Sequence, residues 1–242
     1  MLLQRSVLIF YMLSMFATLT HAQVEIDQSF TIEEYVNDLL LGDGVSASNI
    51  TLIGDPIQLA KLTEGSGNFS VESGLVLSCG DPNRLMDCGG DANPTGLGDA
   101  FGDPDLLEVA NSVPPLIGES FTVSSVNDGC VLEFDFEAGG DSISFNYVFG
   151  SDEYLNFVNT QYNDIFAFFL SGPGISGPYA APAGFPDGAI NIAQVPNSDP
   201  LLPVTISSVN NVTNPEYYID NQNPAPGDVC INGYTVPFKA EY

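Results

Sequence analysis

Val131-Leu-Glu-Phe-Asp-Phe136 and Ser142-Ile-Ser-Phe-Asn-Tyr-Val-Phe149 are the runs whose reading decides the fold. In the first, Leu132, Phe134 and Phe136 alternate with Glu133 and Asp135; in the second, Ile143, Phe145 and Tyr147 share one face. Alternation with period two is what a strand with one buried face requires. Other short apolar runs, separated by Gly, Pro, Asn and Asp, extend the pattern to both sides: 49–53, 74–78, 121–126, 165–170, 189–195, 204–209 and 234–240. Their length and spacing predict an all-β fold, an antiparallel two-sheet sandwich of jelly-roll-like form, in a single domain over residues 23–242.

Two segments depart from that rhythm. Over residues 31–41, Ile32, Tyr35, Val36, Leu39 and Leu40 fall on one helical stripe, Thr31 and Glu34 have capping-box spacing, and Gly42 follows. One short N-terminal helix is expected there, its stripe serving the core. From Cys79 to Pro115 the chain is rich in Gly and Asp and poor in strand pattern, which predicts a long loop.

The charge balance excludes whole classes of function. Of 242 residues, 31 are acidic and 4 basic, a net charge of −27. A chain this short of Lys and Arg cannot neutralise nucleic-acid phosphates and is not drawn to anionic lipid. At 44% hydrophobic it is too apolar to be disordered.

Met1–Ala22 reads as a signal peptide: Arg5, an apolar run over 7–19, then the small-x-small Thr20-His21-Ala22. The expected location is therefore extracellular, secreted or at the cell surface. Cleavage after Ala22 removes the single histidine and leaves Lys61, Arg84 and Lys239 as the only bases. Without imidazole, Ser-His-Asp and Cys-His catalysis are out of reach, and zinc catalysis loses its usual ligand. The one catalytic chemistry left is a carboxylate pair, as in a glycosidase.

Cys79, Cys88, Cys130 and Cys230 suit an oxidising compartment and allow three pairings. The expected pairing is Cys79–Cys88, closing a local loop, with Cys130–Cys230 tying distant strands. A thiolate metal site is disfavoured without CxxC spacing or histidine.

Residues 145–170 read Phe-Asn-Tyr-Val-Phe-Gly-Ser-Asp-Glu-Tyr-Leu-Asn-Phe-Val-Asn-Thr-Gln-Tyr-Asn-Asp-Ile-Phe-Ala-Phe-Phe-Leu, followed by Ser171-Gly-Pro-Gly174. With Gly74-Leu-Val-Leu-Ser-Cys-Gly-Asp81, Asn191-Ile-Ala-Gln-Val-Pro196 and Pro203-Val-Thr-Ile-Ser-Ser-Val-Asn210, this ordered series resembles the choice-of-anchor L domain of bacterial exported proteins. Cys79 stands where that family has Thr. The resemblance runs from about Phe30 to the C-terminus. It implies an extracellular β-rich module, attached in relatives by anchors of varied type, and no catalytic activity. Relatives continue beyond the 234–240 strand, so the chain is expected to be a fragment that lacks the parent protein's anchor.

Asp152 and Glu153 follow one strand, and Asn163 and Asp164 precede the next. The two ends of a hairpin loop lie close, so these four side chains can surround one cation. Hard oxygen donors select Ca²⁺ over transition metals, and clustered carboxylates repel unless neutralised. Asn156 is a further possible donor. Asp81, Asp87, Asp91, Asp99, Asp103 and Asp105 are irregularly spaced and read as turn residues. Phe166, Phe168 and Phe169 read as core and not as a sugar-stacking platform. The function expected is a non-catalytic surface module, structural or adhesive, with Ca²⁺-stabilised acidic loops and a cell-surface protein or glycan as partner. The alternative is a carbohydrate-binding module or a carboxylate-pair glycosidase.

Overall fold

The computed structural model describes residues 24–42, 44–63, 69, 71–86, 97, 101–224 and 228–242. Met1–Ala22, Cys88, Asp87, Asp91 and Asp99 lie outside the described residues.

The strands in chain order are β1 (Glu25–Asp27), β2 (Val45–Ile53), β3 (Leu59–Thr63), β4 (Ser73–Leu77), β5 (Val131–Ala138), β6 (Ser144–Tyr147) and β7 (Gly150–Ser151). They continue as β8 (Ile165–Phe166), β9 (Phe169–Leu170), β10 (Ile190–Asn191), β11 (Val204–Thr205), β12 (Tyr218–Asp220), β13 (Gly233–Thr235) and β14 (Phe238–Glu241). All pairings are antiparallel. Among the described residues the ladders divide into small sheets: β1-β3-β4, β12-β13-β7, and the pairs β2-β5, β6-β14, β8-β11 and β9-β10. The chain is thus mostly β and antiparallel, with its strands grouped in twos and threes.

The alternating runs that opened the sequence are β5 and β6. β5 pairs with β2 from Val45↔Ala138 to Ile53↔Val131, with a bulge between Ser48 and Thr51. Asn49 takes a left-handed φ of 52° there, and its Nδ2 donates to Asp135 Oδ2 at 2.6 Å. β6 pairs with β14 and turns Phe145 and Tyr147 toward the 165–170 segment, where Phe145 meets Phe168 at 4.3 Å and Tyr147 meets Phe166 at 5.0 Å.

The N-terminal helix forms with both halves of its capping box: Thr31 accepts from the Glu34 N–H at 3.2 Å and Glu34 accepts from the Thr31 N–H at 2.8 Å. A first turn, α1 (Ile32–Glu34), runs on as a π-helix over Tyr35–Leu40, and Tyr35 and Val36 are buried.

Two expectations need correction. The 79–115 stretch is not all loop, because α2 (Pro104–Leu116) takes up its last part. Asp103 Oδ1 caps this helix, accepting from the Asp105 and Leu106 N–H groups, while Val109, Ala110 and Val113 bury one face. Prolines at both ends and Gly-Asp steps before it hide the apolar period. Nor is 121–126 a strand. Val123 is buried, but both its backbone groups are taken by the Asn111 side chain, at 2.9 and 3.0 Å, in place of a ladder.

Two apolar clusters fill the interior. One joins Phe149, Tyr154, Val195, Leu202, Val204, Ile206, Val209 and Phe238; the other joins Val24, Leu62, Phe69, Val229, Ile231 and Tyr234. β13 runs between them with Tyr234 in the second, and Thr235 beside it accepts from the Phe149 N–H at 3.1 Å. The candidate site lies against this strand.

Candidate functional site

The connection from β7 to β8 carries the four candidate ligands. β7 ends at Ser151, paired opposite Gly233, and β8 begins at Ile165, paired opposite Thr205. Between them 152–159 winds through turns, with the Phe157 N–H donating to the Glu153 carbonyl at 3.0 Å. Ser151 closes the two ends on each other. Its Oγ donates to Asp164 Oδ2 at 2.6 Å and accepts from the Glu153 N–H at 2.9 Å. Asn232 Nδ2 donates to the Asp152 carbonyl, and the Ile206 N–H donates to the Asp164 carbonyl at 3.2 Å.

Close packing fixes the floor. A Cβ on Gly233 would lie 2.6 Å from Tyr218 Cε2 and 3.0 Å from Tyr154 Cδ2, so only glycine admits both rings. Those rings sit 4.9 Å apart, and Tyr154 is fully buried.

The expected hairpin does not form, because β7 pairs with β13 and β8 with β11 in separate sheets. The Ser151–Asp164 bond instead draws the two ends together and sets Asp152, Glu153 and Asp164 within electrostatic reach of one another, with Asn163 next to Asp164 in the chain. Desolvation raises the Asp164 carboxyl above its ordinary value, against the Ser151 hydrogen bond that lowers it. Glu153 is pushed up to about 7, first by desolvation, then by the Asp164 and Asp152 charges. Asp152 is pushed up to about 6 by desolvation, with Asp164 adding and the Asn232 backbone opposing. No lysine or arginine contributes to any of the three. Lys239 instead pairs with Glu241, and Lys61 lies 5.6 Å over the Phe30 ring.

Several polar atoms here are buried and make no hydrogen bond among the described residues: Asp152 Oδ2, Glu153 Oε2, both amide atoms of Asn163, and the Tyr154 and Tyr218 hydroxyls. Asn163 is only 7% exposed. Buried polar atoms are nearly always paired in folded proteins, so such a concentration marks a place with something left to bind. Among the described residues no three His, Cys, Asp or Glu side chains converge closely enough to hold a metal ion. Asn156 is exposed.

The remaining sequence candidates fall elsewhere. Asp81 accepts from the Asn83 N–H at 3.0 Å, Asp103 caps α2, and Asp105 Oδ2 accepts from the Ala180 N–H at 3.0 Å. Asp81 and Asp103 are turn and cap residues, as read, whereas Asp105 lies in the first turn of α2 and holds a segment 75 residues away. Phe166, Phe168 and Phe169 are half-buried and packed on Tyr147, Phe145 and Tyr179.

The cysteine pairing needs correction. Cys79 and Cys130 are free thiols here, so neither Cys79–Cys88 nor Cys130–Cys230 is formed. The physical reason is placement: the Cys230 N–H donates to the Leu85 carbonyl at 2.8 Å, while the chain before Cys79 is tied through Gln58 to the chain before Cys130.

Sequence reasoning missed Ser151, Tyr218, Asn232 and Gly233 as parts of the site. Ser151 adjoins Asp152 in the quoted motif and was within reach of such reasoning. Asn232 lies 80 residues from Asp152, and nothing local signals their contact.

Among the described residues no helix is long and apolar enough to cross a membrane. No curated protein and no solved structure matches the chain. The family model of the choice-of-anchor L domain matches residues 23–242, which include every element described above, and the chain belongs to that family.

Proposed function

We propose that the chain is a non-catalytic module of the cell surface, structural or adhesive, whose acidic 151–164 connection takes up Ca²⁺. Family membership associates it with the cell surface. The observation that carries the calcium assignment is the buried, base-free set of Asp152, Glu153, Asn163 and Asp164, with carboxylate and amide oxygens left unbonded. Each carboxyl is held above its ordinary range by burial and by its neighbours, and a divalent cation would relieve both effects. All the donors are oxygens, which suits Ca²⁺. Asp152, Glu153, Asn163 and Asp164 would hold the ion through their side-chain oxygens, and the bound cation would neutralise the buried carboxylates. A stiffened loop on one side of β13 then presents the neighbouring surface to a protein or glycan partner.

The test is thermal melting of the full chain in EDTA and in millimolar Ca²⁺ near pH 7.5. A rise of roughly 5–10 °C with Ca²⁺ is expected for a site filled about a hundredfold above its dissociation constant. A melting curve that neither EDTA nor Ca²⁺ moves removes the calcium assignment and leaves the surface module standing.

The glycosidase reading draws on Glu153, whose value near 7 suits a general acid. Hydrolysis of a glycan by the wild type, abolished in Glu153→Gln, would replace the non-catalytic reading with that one.

A further inference from the structure

Cys79 and Cys130 are free thiols in this structure, at the meeting of two sheets, and the Cys79 thiol lies within electrostatic reach of Cys130. Cys79 follows β4, the last strand of β1-β3-β4, and Cys130 immediately precedes β5, which pairs with β2. Gln58, only 1% exposed, links the two chain segments. Its backbone carbonyl accepts from the Ser78 N–H at 3.0 Å, and its Nε2 donates to the Asp128 carbonyl at 2.9 Å. Gly54 closes the same corner: a Cβ there would lie 2.5 Å from Gln58 Oε1, 2.9 Å from the Gly129 carbonyl and 3.5 Å from Cys130 Cα. The Ser78 backbone is within hydrogen-bond reach of the Cys130 thiol, one residue from Cys79.

We propose that Cys79 and Cys130 form a disulfide in the exported protein, clamping the end of β4 to the start of β5. Each thiol gives up its proton and the pair gives up two electrons as the Sγ–Sγ bond forms. The disulfide of a thiol–disulfide oxidoreductase breaks and receives them as two thiols. The bond spans more than fifty residues and lies beside the acidic connection, since the Cys79 thiol feels both Asp164 and Glu153.

The electrostatics set how this bond forms. Cys79 is exposed as a residue, but its thiol is pushed up to about 12, first by desolvation and then by Asp164 and by Cys130. Desolvation pushes Cys130 to about 12 as well. Less thiolate at neutral pH means slower attack on an oxidant's disulfide.

The test is a disulfide map of the full chain purified from an oxidising compartment and alkylated without reductant before digestion. Trypsin with a Glu-specific protease separates all four cysteines, Cys79 in 73–84, Cys88 in 85–108, Cys130 in 120–133 and Cys230 in 217–239. The expected result is a linked pair of 73–84 with 120–133. Alkylated 73–84 and 120–133, or 73–84 linked to either other peptide, overturns the proposal. A second measurement is the melting temperature of Cys79→Ser/Cys130→Ser. For a loop of this length it should fall by roughly 10 °C relative to the oxidised wild type. An unchanged melting temperature also overturns it.

Discussion

Residues 202–210 and 151–164 touch each other, both bury polar side chains, and treat them in opposite ways. In 202–210 every residue is buried, and Thr205, Ser207, Ser208 and Asn210 are fully enclosed. Each has partners. Ser208 Oγ donates to the Pro203 carbonyl at 2.6 Å and accepts from the Thr205 N–H at 2.9 Å. Asn210 donates to the Ile206 and Ser207 carbonyls at 3.0 Å and accepts from the Val212 and Thr213 N–H groups at 2.9 and 2.8 Å. All these groups are neutral. Across the contact, where the Asn159 N–H donates to Ser207 Oγ at 3.0 Å, the groups are carboxylates and amides with atoms left unbonded. The first segment is a polar core that completes itself; the second is a polar core that waits for a ligand. The cost of a buried polar group depends on whether it is paired and whether it is charged, and here the two cases sit side by side.

Three measurements press on that contrast. The largest effect is expected from Asn210→Ala, which strips two carbonyls and two N–H groups of their partners at a fully buried position. It should cost roughly 3 kcal/mol or more and lower the melting temperature by about 6–12 °C. A loss of under about 2 °C would mean the segment is not held as its bonds suggest.

Asp164→Asn should act in the other direction. It removes a buried charge and keeps an acceptor for Ser151, so the calcium-free melting temperature at pH 8 is expected to rise by a few degrees, while the response to Ca²⁺ disappears. A fall comparable to that of Asn210→Ala would break the comparison, because both segments would then be self-sufficient.

The smallest effect concerns pH. Glu153 and Asp152 have folded values raised to about 7 and about 6, above their ordinary range near 4, so the folded chain binds more protons between those limits. Stability from these groups is present at low pH and is lost as pH rises through about 6–7. In EDTA the melting temperature should therefore be higher by a few degrees at pH 5 than at pH 8. The general self-repulsion of an acidic chain has the same sign, so the discriminating result is a flatter profile in Glu153→Gln. An identical slope in wild type and variant assigns the whole effect to net charge.

Local pattern reached far into this fold where it acts through neighbours in the chain. The capping box at Thr31, the alternation of β5 and β6, and the flanking of one connection by Asp152–Glu153 and Asn163–Asp164 all follow from short spacings. It failed where a distant partner overruled a local signal. Residues 121–126 have the composition of a strand, but Asn111 occupies the Val123 backbone. The 204–209 run reads as a strand as well, yet after Thr205 it turns, because Thr205 and Ser208 hydroxyls bond the backbone of their own turn.

The sequence by itself determined the class of the protein: β-rich, acidic, short of bases, with motifs ordered as in the choice-of-anchor L family, and with Asp152, Glu153 and Asp164 flanking one connection. Periodicity and composition suffice for that, since they act within a few residues. Only the tertiary structure decided which buried polar groups are paired and which are not, and which chain segments Cys79 and Cys130 stand beside. Both depend on contacts such as Asn232 with Asp152 and Gln58 with Asp128, which span 80 and 70 residues and leave no local trace. The lack of bases has its structural meaning at the 151–164 connection, where no cationic side chain offsets the buried carboxylates.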